Sequence, residues 1–162
     1  MIAIGIRVTP NNVYYSIIKE DSEGFAIVSI SNIIVPKALD TPCKLSYIRN
    51  TLDTIIQQYN INKAGIKLIE GNARSTANSS TFFRVNLEGV ILELFANSSV
   101  EKYLLGISSN IASILQVEAK PVKEMAGDIG IDDSDKTDEG KKLNDENKES
   151  IVVAIAALNQ EW

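Results

Sequence analysis

The sequence predicts an α/β domain with a five-stranded mixed sheet, in strand order 3-2-1-4-5, and helices on both faces. Three observations predict it. Three β-type segments separated by tight turns come first, helical and β-type segments then alternate, and the length suits one hydrophobic core. With 162 residues and 44% hydrophobic content, the chain has the size and composition of one globular domain. We therefore interpret residues 1–162 as a single domain.

The beginning of the chain is predicted to form an antiparallel meander. Residues 2–8 (IAIGIRV), 13–19 (VYYSIIK) and 25–35 (FAIVSISNIIV) are rich in β-branched residues, as strands are. Clusters of turn-forming residues at 9–12 (TPNN) and 21–24 (DSEG) separate them. Such short connections allow only antiparallel neighbours, because parallel strands need a longer crossover.

Helical periodicity begins after residue 40. Thr41 is suited to cap a helix and Pro42 to occupy its first position. An apolar stripe follows at helical spacing, formed by Leu45, Ile48, Leu52, Ile55, Ile56 and Tyr59. A compact apolar run at 66–69 then predicts a fourth strand that ends at Glu70. A second stripe predicts a helix that stops near Asn97, formed by Phe83, Leu87, Val90, Ile91, Leu94 and Phe95.

Three more segments complete the predicted architecture. Residues 102–106 (KYLLG) form a fifth strand, and Ser108 or Ser109 caps a short helix after it. Residues 151–158 (IVVAIAAL) are apolar on nearly all sides, which predicts a buried helix. Because crossovers between parallel strands are right-handed, the alternation places strand 4 beside strand 1 and strand 5 at an edge.

The negative charge of the chain is concentrated in one segment. The formal net charge is −5, and residues 124–149 alone hold ten acidic and four basic residues. With few large apolar residues to bury, this segment is predicted to be an acidic, mobile insertion before the last helix. The remainder of the domain is close to neutral and has no basic stripe.

The composition also excludes several classes of site. The chain has no histidine and a single cysteine, Cys43, so imidazole-dependent catalysis, an internal disulfide and a cysteine-rich metal site are excluded. No apolar run approaches the roughly 18 residues of a membrane span, and the first residues are too short and uncharged for a signal peptide. We expect a cytoplasmic protein without a membrane partner.

Four strings carry a resemblance to a known family. They are IGIR at 4–7, IKLIEG at 66–71, GISSNI at 106–111 and ESIVVAIA at 149–156. In this order, and on these predicted elements, they resemble the RNase H-like superfamily, and within it the RuvC-type branch that includes Holliday-junction resolvases. The resemblance covers residues 1 to about 118 and, more loosely, the last helix.

The resemblance implies two-metal hydrolysis of phosphodiesters, in which carboxylates hold two Mg²⁺ or Mn²⁺ ions. Glu70 and Glu149 match the family's second and last acidic ligands, with Asp145 as a neighbouring substitute for Glu149. Where the family has an aspartate at the end of the first strand, this chain has Arg7, a permanent cation that does not bind metal. We therefore expect a degenerate active site.

Two of these residues have alternative interpretations. Arg7 either fills the vacated metal site by pairing with Glu70, or is a strand-end side chain that reaches solvent. Glu149 is either a metal ligand or simply a favourable negative charge in the first turn of its helix.

A phosphate-binding loop is a further hypothesis. Arg74, Ser75 and Thr76 lie in a polar stretch just before a predicted helix, and Arg84 lies one turn into that helix. Helix N-termini bind phosphate through their free N–H groups. The alternative is that the stretch is an ordinary flexible connection. On the second strand, Tyr14 and Tyr15 point to opposite faces, and the outward ring either stacks on a base or packs on a helix.

Three functions follow from these observations. The first is a non-catalytic RuvC-like subunit that binds a protein or a nucleic acid within a nucleic-acid-processing assembly and needs no cofactor. The second is a divergent nuclease that uses Mg²⁺ or Mn²⁺ with Glu70, Asp145 and Glu149. The third is an unrelated α/β protein-interaction domain that shares the topology only.

Overall fold

The computed structural model describes residues 1–70 and 78–161. Its strands, in chain order, are β1 (Ile2–Val8), β2 (Asn12–Asp21), β3 (Gly24–Ile34), β4 (Lys63–Lys67) and β5 (Lys102–Gly106). Its described helices are α1 (Thr41–Gln58), α2 (Ser79–Ala96), α3 (Ser108–Leu115), α4 (Val122–Asp128) and α5 (Asp145–Asn159). Within these two ranges, no helix has both the length and the apolar character needed to cross a membrane.

The five strands form one mixed sheet in the order β3-β2-β1-β4-β5, which confirms the predicted order. The meander supplies the antiparallel half, with β1 paired to β2 and β2 to β3. The helical crossovers supply the parallel half, with β1 paired to β4 and β4 to β5. The central strand β1 therefore has an antiparallel neighbour on one side and a parallel neighbour on the other.

The alternation of side chains along β1 divides the core into two layers. Ile4, Ile6 and Val8 face α1 and α2 on one side of the sheet. Ala3 belongs to the opposite layer, which is built around α3, α4 and α5. Helix α5 is buried from residue 150 to residue 157, as its apolar sequence predicts. It is thus the central helix of its layer.

Two glycines let α5 lie directly on the sheet. Gly5 of β1 and Gly65 of β4 are register partners at the centre of the sheet. A Cβ atom on Gly5 would lie 1.9 Å from the carbonyl oxygen of Ser150, and one on Gly65 would lie 2.5 Å from that of Val153. Lys63 fixes the other end of the helix, because its Nζ donates to the Leu158 carbonyl oxygen at 2.7 Å.

The fourth strand occupies a different range from the one predicted. It runs from Lys63 to Lys67, whereas the apolar run predicted residues 66–69 with Glu70 at the strand end. The strand includes two buried lysines, Lys63 and Lys67. Because lysine is seldom buried, the apolar pattern did not place the start of the strand at Lys63. Glu70 therefore lies three residues beyond β4.

Two predicted helix caps are also corrected. The N-cap of α1 is Asp40 rather than Thr41, and the Asp40 side chain accepts from the Cys43 amide at 2.9 Å. Ser108 is the first residue of α3 rather than its cap, and its hydroxyl donates to Glu70 instead. In both cases the residue that the sequence suggested is one position inside the helix.

The acidic segment 124–149 begins inside α4, a helix that the sequence did not predict, and it ends inside α5. Between these helices, Ile131 and Leu143 are buried in the core layer around α5. The apolar contribution of this segment is therefore larger than its composition suggested. Its mobility stays a prediction.

A short hairpin lies within this segment, between residues 136 and 142, and is closed by a bridge between Lys136 and Lys142. Asp138 attaches this 136–142 hairpin to the edge strand β3. Its carboxylate accepts from the Ile30 amide at 2.8 Å and from the Ser29 hydroxyl at 2.6 Å, and its own amide donates to the Ile30 carbonyl oxygen. The hairpin therefore covers part of an otherwise open strand edge.

Candidate functional site

The candidate site lies at the carboxyl ends of β1 and β4, on the face of the sheet that carries α5. Arg7 of β1 is the register partner of Lys67 on β4 and of Tyr14 on β2. Asn32 on β3 continues the row as the partner of Tyr14. Four neighbouring strands therefore carry Asn32, Tyr14, Arg7 and Lys67 side by side, and this row lies near the N-terminal end of α5.

Arg7 pairs with Glu149 of α5. The guanidinium Nε donates to the Glu149 carboxylate, and Nη1 donates to the Val8 carbonyl oxygen. Each of the two paired side chains is only 16% exposed. The sequence left two interpretations of Arg7 open, a pair with Glu70 or a side chain that reaches solvent, and the structure shows neither, because the partner is Glu149 and the pair is largely buried. The sequence interpretation also placed Glu149 in the first helical turn, whereas α5 begins at Asp145 and Glu149 lies one turn further in.

Glu70 forms a second cluster with Lys67 and Ser108. One carboxylate oxygen accepts from Lys67 Nζ at 2.9 Å, from the Ser108 hydroxyl at 2.6 Å and from the Ser108 amide at 3.1 Å. Hydrogen bonds from Ser108, together with the bond and the charge of Lys67, lower the pKa of Glu70 from 4.5 to about 2. Glu70 is therefore ionised at neutral pH.

Arg84 and Glu88 of α2 form a third pair beside the first. Arg84 Nε donates to Glu88 at 3.2 Å, and the same carboxylate oxygen accepts from the Ile69 amide at 3.1 Å. Burial, and then the positive charge of Arg7, hold the pKa of Arg84 below its usual value. Arg84, which the sequence proposed as a phosphate ligand, is thus engaged with Glu88 next to Arg7.

A cavity of about 950 Å³ opens beside these groups. Its polar and charged lining consists of Lys67, Glu70, Ser108, Ser109, Lys120 and Glu149. Two acids that the sequence selected, Glu70 and Glu149, therefore face one cavity. They do so together with the buried Lys67, whose side chain is 9% exposed.

The other predicted site residues have different positions. Asp145 pairs with Lys123 at 2.7 Å and lines a separate recess, so the structure does not bring it to the cavity of Glu70 and Glu149. Arg74, Ser75 and Thr76 lie outside the described residues.

Two residues of the site were missed in the sequence. Lys67 was missed because the predicted strand ended at Glu70, whereas β4 ends at Lys67. The alternation of Lys63, Gly65 and Lys67 along one face is the signal that identifies it. Glu88 interrupts the apolar stripe of α2, one turn after Arg84, and this spacing predicts an ion pair.

The residues present do not fit a pair of divalent metal ions. Two neighbouring strand-end positions on the α5 face carry Arg7 and Lys67, and each acid near them is already paired with a cation. In the described ranges, no three acidic or sulfur-bearing side chains are close enough together to hold one metal ion. Magnesium sites need oxygen ligands and an excess of negative charge, which this arrangement does not offer.

Comparisons with known proteins assign the fold. No protein-family model and no curated protein sequence matches the chain. Among solved structures, Thermus thermophilus RuvC superimposes with a TM-score of 0.73 at 10% identity, over 98% of this chain and 94% of that chain. T. thermophilus RuvC in complex with a Holliday junction substrate gives 0.69 at 11% identity, with the same coverage.

The yeast mitochondrial Holliday junction resolvase Ydc2 gives a TM-score of 0.63 at 13% identity, over 97% of this chain and 78% of that chain. At these identities the comparisons show the fold alone. The chain thus has a RuvC-like α/β fold, which is the fold that the sequence resemblance implies.

Proposed function

We propose that this chain is a RuvC-like subunit that binds nucleic acid within a nucleic-acid-processing assembly and does not cleave it. The single observation that carries the proposal is the pair of cations, Arg7 and Lys67, side by side at the ends of β1 and β4. A phosphate backbone is attracted to such cations, and a divalent metal ion is repelled by them.

The magnitude of this repulsion supports a non-cleaving role. Two unit charges about 4 Å apart, at an effective dielectric constant near 20, interact by about 4 kcal/mol. A divalent ion next to Arg7 would experience about twice that, and Lys67 would add a further cost. Glu149 and Glu70 offset part of this repulsion, but each is already paired with one of the two cations, so the cluster has no surplus negative charge with which to hold a metal ion.

The proposal is tested by measuring binding and cleavage together. The purified chain is incubated with four-way junction, duplex and single-stranded DNA and with RNA–DNA hybrid, each with Mg²⁺ and with Mn²⁺. We expect binding that weakens with salt, because phosphate contacts release counterions. We expect no cleavage in either metal ion.

A divergent nuclease is the second candidate, because Glu70 and Glu149 line the same cavity. Cleavage that disappears in both Glu70→Ala and Glu149→Ala, and persists in Glu93→Ala, would establish that candidate and overturn the first. Glu93 is the matched control, since it also pairs with an arginine, Arg49, but lies away from the cavity.

A metal-binding measurement separates the two candidates independently of activity. Titration calorimetry with Mn²⁺ should show no binding to the unsubstituted chain. Arg7→Asp alone should gain little, because Lys67 remains beside the new carboxylate, whereas Arg7→Asp combined with Lys67→Ala should bind Mn²⁺ measurably. Binding of Mn²⁺ to the unsubstituted chain at this site would contradict the proposed charge exclusion.

A further inference from the structure

A recess of about 190 Å³ lies at the other end of the row of strand-end residues, between the sheet and the 136–142 hairpin. Tyr14 and Asn32 line it from the sheet, and Lys141 and Lys142 line it from the hairpin. At the beginning of α5, Asn144 and Asn147 complete the lining. The recess is separate from the cavity that Glu70 and Glu149 line.

We propose that the recess binds an unpaired nucleobase, stacked on the ring of Tyr14, and that the chain therefore prefers single-stranded over fully paired nucleic acid. The inference rests on the proposed nucleic-acid-binding function and names its substrate class. An aromatic ring supplies a stacking surface to any base, and stacking requires a base that is free of its partner strand.

The surrounding groups suit a base and its backbone. Asn32 Nδ2 donates to Asn12 Oδ1 at 2.8 Å, and Asn144 Oδ1 accepts from the Asn147 amide at 2.8 Å. The groups offered to the edge of a base are therefore Asn32 Oδ1 as an acceptor and Asn144 Nδ2 as a donor. Lys141 and Lys142 are exposed on the hairpin, where they can contact phosphates without being buried. Ligand sites typically combine an apolar surface with a few convergent polar groups in this way.

The row of residues gives the strand a path away from the recess. Strands are about 4.8 Å apart, so Lys67 on β4 lies about 10 Å from Tyr14, with Arg7 between them. A base at Tyr14 would therefore place neighbouring phosphates near Arg7 and Lys67.

The charge along this path differs from that of the whole chain. Five cations lie on it or line its two recesses, namely Arg7, Lys67, Lys120, Lys141 and Lys142. Each is paired with a carboxylate, in the same order Glu149, Glu70, Asp128, Glu139 and Asp133. The path is thus close to neutral on a chain of net charge −5, so an anionic strand meets less repulsion here than the net charge of the chain implies.

The 136–142 hairpin is held in position to form one wall of the recess. The Thr137 amide donates to the Lys141 carbonyl oxygen at 2.9 Å, and the Lys141 amide donates to the Thr137 hydroxyl at 3.1 Å. Asp138 attaches the hairpin to β3 through Ser29 and Ile30. A preformed wall lowers the entropy cost of binding a base.

Fluorescence anisotropy with labelled oligonucleotides tests the inference. We expect a short single-stranded DNA to bind at least about tenfold more tightly than a blunt duplex of the same sequence at the same salt concentration. Tyr14→Ala should weaken single-strand binding by about 5- to 100-fold, which is the range that loss of one stacked base predicts, and should weaken duplex binding far less. Tyr14→Phe keeps the ring and should bind far more tightly than Tyr14→Ala.

Two controls make the result specific. Tyr47 of α1 is 44% exposed on the other side of the sheet, so Tyr47→Ala should not change the affinity for single strands. An oligonucleotide with abasic positions should bind the unsubstituted chain as weakly as the intact oligonucleotide binds Tyr14→Ala, and this measurement needs no variant to fold. Combining the abasic oligonucleotide with Tyr14→Ala should cause no further loss.

The possible failures are distinguishable. Equal affinity for single strand and duplex, together with no effect of Tyr14→Ala, would overturn the base site and leave the proposed function standing. Absence of binding to any nucleic acid would overturn both. Displacement of the oligonucleotide by polyglutamate at equal charge concentration would assign Lys141 and Lys142 to an acidic protein partner, and would overturn the base site.

Discussion

Arg7 and Glu149 connect the first strand of the sheet to its central helix, across a separation of 142 residues in the sequence. Both side chains are largely withdrawn from water, and the guanidinium also donates to the Val8 carbonyl oxygen. The contact thus joins β1 to α5. It also means that the Glu149 carboxylate of the candidate site is paired with a cation. Its structural contribution can be separated from its functional one.

Replacing Arg7 with methionine should lower the free energy of unfolding by about 1–3 kcal/mol, because it leaves the largely buried Glu149 carboxylate without its hydrogen-bonded cationic partner. The measurement is urea denaturation at neutral pH. Arg49→Met is the matched control. It breaks the more exposed pair with Glu93 and should cost clearly less stability than Arg7→Met.

A double variant sharpens this prediction. Adding Glu149→Gln to Arg7→Met removes the unpaired charge, so part of the lost stability should return. Equal losses for Arg7→Met and Arg49→Met would show instead that the Arg7 pair is solvated and that its burial has no energetic consequence.

The close approach of α5 to the sheet predicts a large effect at Gly5. Gly5→Ala places a methyl group 1.9 Å from the Ser150 carbonyl oxygen, and backbone atoms have little freedom to move away. We expect a loss of more than about 3 kcal/mol, seen as a lower urea midpoint or a failure to fold.

Gly89 provides the opposite case on the exposed side of α2. A Cβ atom there meets nothing within 4 Å, and alanine is a better helix former than glycine. Gly89→Ala should therefore raise the free energy of unfolding by about 0.5–1 kcal/mol. Similar effects at Gly5 and Gly89 would contradict the direct contact between α5 and β1.

The order of strands was predictable because the signals that determine it are local. Turn clusters at 9–12 and 21–24 specify the meander, and the change to helical periodicity after residue 40 specifies the crossovers. The right-handed crossover rule then leaves one arrangement for β4 and β5. Each of these signals lies within a short window of the sequence.

The site was less predictable because its contacts join distant parts of the chain. Lys63 is buried in β4 only because α5 presents the Leu158 carbonyl oxygen to it, and no local pattern contains that partner. The same holds for Arg7, whose partner Glu149 belongs to the last helix. The sequence selected Arg7, Glu70 and Glu149, which lie together in the structure, but it did not predict which of them pair.

The pKa of Glu70 predicts how stability depends on pH. A carboxyl whose pKa falls from 4.5 to about 2 on folding contributes stability that is complete above pH 4.5 and is lost as the pH falls toward 2. Glu70→Gln removes this contribution at every pH. The unsubstituted chain should therefore be more stable than Glu70→Gln at pH 7, and the difference should vanish near pH 2.

Thermal unfolding of both proteins between pH 7 and pH 2 measures this difference. Ser108→Ala serves as the control, because the Ser108 hydroxyl is the largest cause of the lowered pKa of Glu70. In that variant the pKa of Glu70 should rise, and the pH window should move upward. A difference between the chain and Glu70→Gln that does not change with pH would refute the assignment.

The last prediction concerns the acidic segment and the 136–142 hairpin, whose Lys136, Lys141 and Lys142 are exposed and accessible to trypsin. We expect limited digestion to cut here before elsewhere, because the described contacts of the hairpin with the domain depend largely on Asp138. Asp138→Asn weakens the bonds to Ser29 and Ile30 from charge-assisted to neutral ones, which are roughly half as strong. Cleavage after these lysines should then accelerate several-fold, as quantified by mass spectrometry of the fragments.

Glu139→Gln is the neighbouring control, since Glu139 is exposed and pairs only with Lys141 among its described partners. Equal acceleration in both variants would show that loss of negative charge, rather than the attachment to β3, controls access to the hairpin.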